Sequence, residues 1–183
     1  MRAKTVKIPR AYIFDFDDTL VKTDARIHIY INDKKIKSIT PEEYNTYHKK
    51  PEEELDLSDF IDPRFILNAT KYKLWPALEN IVQAKKMGRS DSDIYILTAR
   101  PKKAQIPIYT FLHRNKIDIP IDNIITIGDD AVDKVDIAAS KEKILRTLMN
   151  QYTKLFFFDD SAKNIKIASK IPGIKTRLVD WNK

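Results

Sequence analysis

The 183-residue chain contains no cysteine, so it has neither a disulfide framework nor a thiolate zinc site. Glycine is nearly as scarce, with only Gly88, Gly128 and Gly173. Three scattered glycines cannot supply a GxxxxGK[ST] phosphate loop or a GxGxxG dinucleotide fingerprint. Any phosphate chemistry must therefore use another apparatus. No apolar run approaches the ~20 residues that a bilayer-spanning helix needs. The segment from Met1 to Lys7 is basic and lacks an apolar signal core. These absences fit a cytoplasmic protein with no membrane partner, and nothing in the pattern fixes an oligomeric state.

What is present describes one folded domain over 1–183. A hydrophobic content of 43% beside 32% charge is enough for a good-sized core. Lys and Arg number 33 against 26 acids, a net charge of +7 with a pI near 9.4. That balance suits an anionic partner: a nucleotide, a nucleic acid or a phosphorylated metabolite. Lysine-rich housekeeping domains carry the same surplus, so charge alone does not select among these.

Apolar runs mark five strands: residues 10–16, 93–97, 123–127, 155–158 and 174–179. Helical patterns lie between them, opening at Pro76, running on to about Asn115, covering Ser140 to Met149, and following Ser161. Pro107 either kinks the second helix or marks its start. Strands alternating with helices predict an α/β fold, a Rossmann-like parallel sheet of about five strands with helices on both faces. The segment 24–60 interrupts the alternation and reads as a small flap or cap inserted after the first strand. Within it, Ile27, Ile29 and Ile31 alternate before Asn32-Asp33-Lys34-Lys35, a hairpin pattern. Thr40-Pro41-Glu42-Glu43 then opens a short helix to about His48 through a capping box. Glu52-Glu53-Glu54 begins an acidic linker to Leu57.

Reactive residues collect at strand ends. The first strand leads into Asp15-Phe16-Asp17-Asp18-Thr19-Leu20. Three carboxylates in four residues at the end of a buried strand are costly unless a cation meets them. A hard divalent ion such as Mg²⁺ takes oxygen ligands and keeps waters for a substrate phosphate. Asp15 and Asp17 leave an extended segment on the same side. One can serve as nucleophile and the other as acid/base. The second strand ends at Thr98-Ala99-Arg100 and the fourth at Asp159-Asp160. In open α/β sheets ligands bind beyond the carboxyl ends of the strands, where these groups gather.

The stretch Asp15-Phe16-Asp17-Asp18-Thr19 resembles the DxDx[TV] motif of the haloacid dehalogenase (HAD) superfamily. The order that follows, Thr98 after a strand, a lysine, then Asp159-Asp160, is similar to the remaining motifs of that superfamily and spans the chain outside the insert. The resemblance implies a strand order of 3-2-1-4-5 and a Mg²⁺-dependent phosphatase acting through an aspartyl-phosphate. It makes Asp15 the nucleophile and Asp17 the acid/base. Thr98 would hydrogen-bond the phosphoryl group. Lys141 would offset the charge, with Lys143 in reserve. Asp15, Asp17 through its carbonyl, and Asp159 and Asp160 would hold the metal. The Gly128-Asp129-Asp130-Ala131-Val132-Asp133 stretch offers a rival for the last motif. It is set aside because it leaves Asp159-Asp160 without a role. The C-terminal half is similar to the phosphatase domain of phage-type polynucleotide kinase/phosphatases, which points to a nucleotide or a polynucleotide 3′-phosphate as substrate. Dehalogenase activity is disfavoured by the acid at position 17.

Arg100 is expected to bind a second phosphate or a carboxylate of the substrate, or to pair with an acid in the pocket. Tyr44, Tyr47, Phe60 and Trp75 are expected to form an aromatic core under the insert rather than a stack for a base. His28, His48 and His113 show no spacing that would bring them together. A second class of function stays open: a nucleic-acid-binding or regulatory module on the same scaffold with little turnover. The intact set of acids argues against it.

Overall fold

The computed structural model describes residues 10–44, 47–72, 74–128 and 136–179. Its centre is β1 (Ala11–Phe14), four apolar residues that pair on both sides in parallel, with β7 (Asp93–Pro101) and with β9 (Leu155–Asp159). β8 (Ile124–Gly128) extends the sheet beyond β7, and β10 (Ile174–Leu178) extends it beyond β9. A strand covered on both faces must be apolar throughout, which is why β1 reads as a run rather than an alternation. Successive side chains still leave on opposite faces. Phe14 enters a core with Ile94, Ile96 and Ile124, while Ala11 and Ile13 enter a second with Leu97, Leu155 and Phe157.

Helices close both faces. The first core takes α3 (Trp75–Lys86) through Leu78 and Val82, and α4 (Gln105–Arg114) through Ile108, Phe111 and Leu112. The second takes α5 (Ile137–Met149) through Leu145 and Leu148, and α6 (Ala162–Ala168) through Ala168. Each fully buried side chain of this kind is worth roughly 1.5–3 kcal/mol relative to exposure. The architecture is the expected α/β class. Counted over the ten strands among the described residues, the order across the sheet is 8-7-1-9-10 rather than 3-2-1-4-5. The five short strands between β1 and β7 account for the shift in labels, since the five sheet strands alone in chain order give 3-2-1-4-5.

The excursion after β1 leaves the sheet through β2 (Val21–Lys22) and returns through β6 (Thr70–Lys71), which pair antiparallel. Inside it, β3 (Ile27–Ile31), β4 (Lys34–Ile39) and β5 (Glu54–Asp56) form an antiparallel sheet of order β4-β3-β5. Asn32 and Asp33 turn the hairpin with φ of 50° and 60°, the left-handed pair that a two-residue turn requires. Ile27, Ile29 and Ile39 make a small core of their own, with Tyr44, Tyr47, Leu55, Leu57 and Phe60 against it.

Three local expectations are corrected. The acidic linker after Glu52 contains β5, because Leu55 packs on the small core while Glu54 stays exposed. The helix opened by Thr40 is α1 (Pro41–Tyr44), capped as expected by Glu43 N–H to Thr40 Oγ1 at 3.2 Å. It does not reach His48, since Tyr47 leaves the helical path to donate to the buried Glu53 at 2.6 Å. Helix α5 starts at Ile137 rather than Ser140, because the Asp136 carboxylate accepts from Ala138 N and Ala139 N. A five-residue helix, α2 (Pro63–Leu67), follows a 3-10 turn at Ser58–Phe60. Pro107 stands in the first turn of α4, where it marks the start rather than a kink. Among the described residues, no helix is long and apolar enough to cross a membrane.

Candidate active site

The loop after β1 is drawn into a tight reversal. Leu20 N and Val21 N both donate to Phe16 O, and Asp18 adopts φ 53°, a left-handed geometry that Asp tolerates better than most residues. Phe16 and Leu20 are fully buried and pin this loop to the first core. Asp15 continues the β1 register, donating its N–H to Phe158 O at 2.9 Å. The acids therefore sit at the carboxyl end of the sheet, against the end of β9.

Lys141 joins them. Its Nζ donates to Asp15 Oδ1 at 2.5 Å and to Asp159 Oδ2 at 2.7 Å. All three side chains are buried, with Lys141 at 2% exposure, Asp15 at 6% and Asp159 at 0%. An ammonium at this depth is tolerated only because two carboxylates meet it. Burial alone would pull Lys141 down, but Asp15 and Asp159 outweigh it and hold the amine well above its ordinary range. Lys143 is exposed, so of the two candidates Lys141 is the one that reaches the acids.

Asp159 is saturated with donors. Besides Lys141 it accepts from Ser161 N at 2.8 Å and from Asn164 Nδ2 at 3.1 Å to each oxygen. Asp160 lines the cavity beside it, with Thr19 Oγ1 at 3.5 Å. Burial, then the neighbouring charges of Asp159 and Asp18, push its carboxyl up to about 7. Burial also raises Asp15 well above the usual carboxylate range, with Asp159 and Asp160 adding and Lys141 opposing. This corner thus carries more negative charge than Lys141 relieves. A hard dication fits that donor set. Among the described residues no three His, Asp or Glu side chains form a ready-made cage. Mg²⁺ needs fewer, since it keeps several waters.

Thr98 and Arg100 come from the end of β7, where the register with β8 shifts between Thr98 and Pro101. Arg100 N donates to Thr98 Oγ1 at 3.2 Å, so the hydroxyl keeps its own proton for another acceptor. Arg100 does pair with an acid. Its Nε and Nη2 hold both oxygens of Asp17 at 2.8 and 2.7 Å. Gly128 lies beside this bulge. A Cβ there would stand 2.1 Å from Ala99 O and 3.0 Å from Arg100 C. Gly128 was read only as part of a rival motif, and its scarcity in the sequence was the signal that it matters. Asp129, Asp130 and Asp133 of that rival lie outside the described residues.

These groups share one cavity of about 810 Å³. Asp15, Asp17, Asp18, Thr98, Lys141 and Asp160 line one part of it, and the insert supplies an apolar wall with Tyr44, Leu55, Leu57 and Phe60. Trp75 belongs to the first core instead, and Tyr47 packs on the core of the insert. His28 is held inside the insert by Ser38 and Asp59. His28, His48 and His113 are absent from the cavity lining.

No family model matches the chain, and no curated protein does. Solved structures do. One chain of the Pnkp1/Rnl/Hen1 RNA repair complex superposes with a TM-score of 0.57 at 14% identity, over 97% of this chain and 46% of that one. Another structure of the Pnkp1/Rnl/Hen1 complex gives 0.55 at 17% identity, over 93% and 46%. This chain spans about half the length of each. At such identities the likeness establishes a shared fold.

Proposed function

We propose that the chain is a Mg²⁺-dependent phosphomonoester hydrolase of HAD type, acting on a nucleotide or on the phosphorylated end of a nucleic acid. The observation that carries this reading is the buried Lys141 bridging Asp15 and Asp159 beside Asp17 and Thr98. A bridged buried carboxylate with a second acid two residues on and a hydroxyl across the cavity makes a nucleophile, an acid/base and a phosphoryl ligand.

In the first step an Asp15 oxygen attacks phosphorus. The bond from phosphorus to the leaving oxygen breaks, and that oxygen takes both electrons and a proton from Asp17. In the second, water attacks the aspartyl-phosphate and gives its proton to Asp17. The bond to Asp15 breaks, and inorganic phosphate leaves. Lys141 holds the nucleophile in place and offsets charge on the phosphoryl oxygens. Thr98 donates its hydroxyl proton to one of them. Asp15, Asp160 and the main-chain carbonyl of Asp17 would hold Mg²⁺, which supplies further charge neutralisation when bound. Asp159, whose oxygens already accept four hydrogen bonds, serves to fix Lys141.

Three features favour a nucleotide-bearing substrate: the apolar wall opposite the acids, the +7 charge and the fold shared with chains of an RNA repair complex. The test is phosphate release with and without Mg²⁺ from p-nitrophenyl phosphate, nucleoside monophosphates, sugar phosphates and a 3′-phosphorylated oligonucleotide. Wild type is run beside Asp15→Asn. Release that needs Mg²⁺ and vanishes in the variant is expected. Equal release by the variant would remove Asp15 as nucleophile.

A further inference from the structure

Arg100 is an arginine that the reaction above does not use. Its side chain is 2% exposed, although it borders the cavity. Four hydrogen bonds account for it. Two go to Asp17, Nη2 lies 3.4 Å from Thr23 Oγ1, and Nη1 donates to the main-chain oxygen of Phe60 at 2.6 Å. A guanidinium has five N–H donors, so little is left to offer a substrate. Its guanidinium carbon also lies 6.0 Å from the Phe16 ring centroid and 5.2 Å from that of Phe60.

These contacts join two parts of the chain that the sheet does not join. Arg100 and Asp17 belong to the ends of β7 and β1. Phe60 belongs to the 3-10 turn of the insert, next to the apolar residues that wall the cavity. That turn is tied back to the small sheet, because Asp59 accepts from Arg26 N at 3.0 Å and lies 3.2 Å from His28 Nε2. The bidentate fork fixes the plane of the Asp17 carboxyl while using one lone-pair site on each oxygen. The remaining sites stay free for a proton or a water.

We infer that Arg100 is a positioning residue that couples the insert to the acid/base, holding Asp17 in its working orientation only while the Phe60 turn is seated. This rests on the phosphatase reading for its kinetic consequence, but the physical tie does not. A base oriented by a third group is the usual arrangement where proton transfer must be aimed. Here the third group is itself anchored by the segment that would meet the leaving group.

Two measurements on Arg100→Gln and Arg100→Lys test it. The first is amide hydrogen exchange without substrate. Faster exchange across 57–61 in Arg100→Gln, with β1 and β9 unchanged, is expected, and unchanged exchange at 57–61 would overturn the tie whether or not the protein is a phosphatase. The second is kinetic. p-Nitrophenolate leaves without needing a proton, so Arg100→Gln should keep its first-turnover burst. Its steady-state rate should fall about tenfold to a hundredfold, because the second step needs Asp17 as base. With an alkyl phosphate ester both phases should fall. With p-nitrophenyl phosphate KM should fall along with the steady-state rate, leaving kcat/KM and inhibition by inorganic phosphate within about twofold, and Arg100→Lys should recover part of the loss. A lost burst with weakened phosphate inhibition would instead make Arg100 a direct phosphate ligand and overturn the inference. No phosphate release by wild type would count against the phosphatase reading, leaving the exchange result to decide the tie.

Discussion

At the scale of single residues, the fold has placed a cation where it is both necessary and dangerous. Lys141 lies between two buried carboxylates, and removing it leaves both uncompensated. Breaking such a pair typically costs ~3–5 kcal/mol, far more than an exposed ion pair is worth. Lys141→Met should therefore lose stability of that order in urea unfolding. The deficit should grow between pH 5 and 8, because the stranded acids can be buried cheaply only when protonated. A deficit independent of pH would show that shape rather than charge is lost. Asp160 gives a second pH signature. Its folded carboxyl is raised to about 7 from an ordinary value near 4. Between those values the folded state binds more protons than the unfolded one, so stability falls as pH rises through the window. The metal-free protein in chelator should thus melt lower at pH 7 than at pH 5, and Asp160→Asn should flatten the slope. Added Mg²⁺ should raise the melting temperature more at pH 7 than at pH 5 if Asp160 is a ligand. Equal shifts at both values would remove it from that role.

At the scale of elements, the site depends on a backbone contact as much as on side chains. β8 crosses the bulge of β7 so closely that only glycine fits at 128. Gly128→Ala must push Ala99 and Arg100 aside, which costs roughly 1–3 kcal/mol as overpacking. It should also displace Thr98 and the Arg100 fork, so turnover should fall by more than the stability loss explains. Full activity at unchanged KM in a folded Gly128→Ala protein would show that the bulge does not position the site. The same region shows what sequence reveals. β1, β7, β8, β9 and β10 were legible because strands buried on both faces must be apolar runs, and the acids were legible because they end such runs. Lys141 was named only through the HAD resemblance, with Lys143 in reserve, and its contacts with Asp15 and Asp159 appear only in the structure. The partner of Arg100 was not, since Asp17 lies 83 residues away and the choice between a substrate and a pocket acid is made by packing. The Phe60 oxygen was beyond reach, because a main-chain acceptor has no side-chain signature. β5 was hidden by its acids, which misled because only Leu55 between them needs to be buried. The different settings of Asp159 and Asp160 likewise appear only when Ser161 N and Asn164 are seen to occupy the first of them.

For the whole molecule, the question is whether a surplus of seven positive charges serves catalysis or binding. The two make opposite demands on salt. Phosphate contacts by surface lysines release counterions, so affinity for an oligonucleotide falls steeply with ionic strength regardless of its end group. Recognition of a terminal phosphate in a cavity lined by Lys141, Thr98 and Asp160 is shorter in range and screened less. A 3′-phosphorylated oligonucleotide and its 3′-hydroxyl counterpart should therefore differ in affinity by a factor that survives from 50 to 200 mM salt, while the affinity of both declines. Asp15→Asn is the variant for this titration, because it cannot consume the substrate. A constant ratio well above one places the end group in the cavity and makes the surface charge an aid to encounter. A ratio near one at both salt concentrations, with no phosphate release by wild type, would favour a nucleic-acid-binding module in which the acids are retained for structure. In that case Asp17 has no proton to move, and Asp17→Asn should bind oligonucleotides as wild type does.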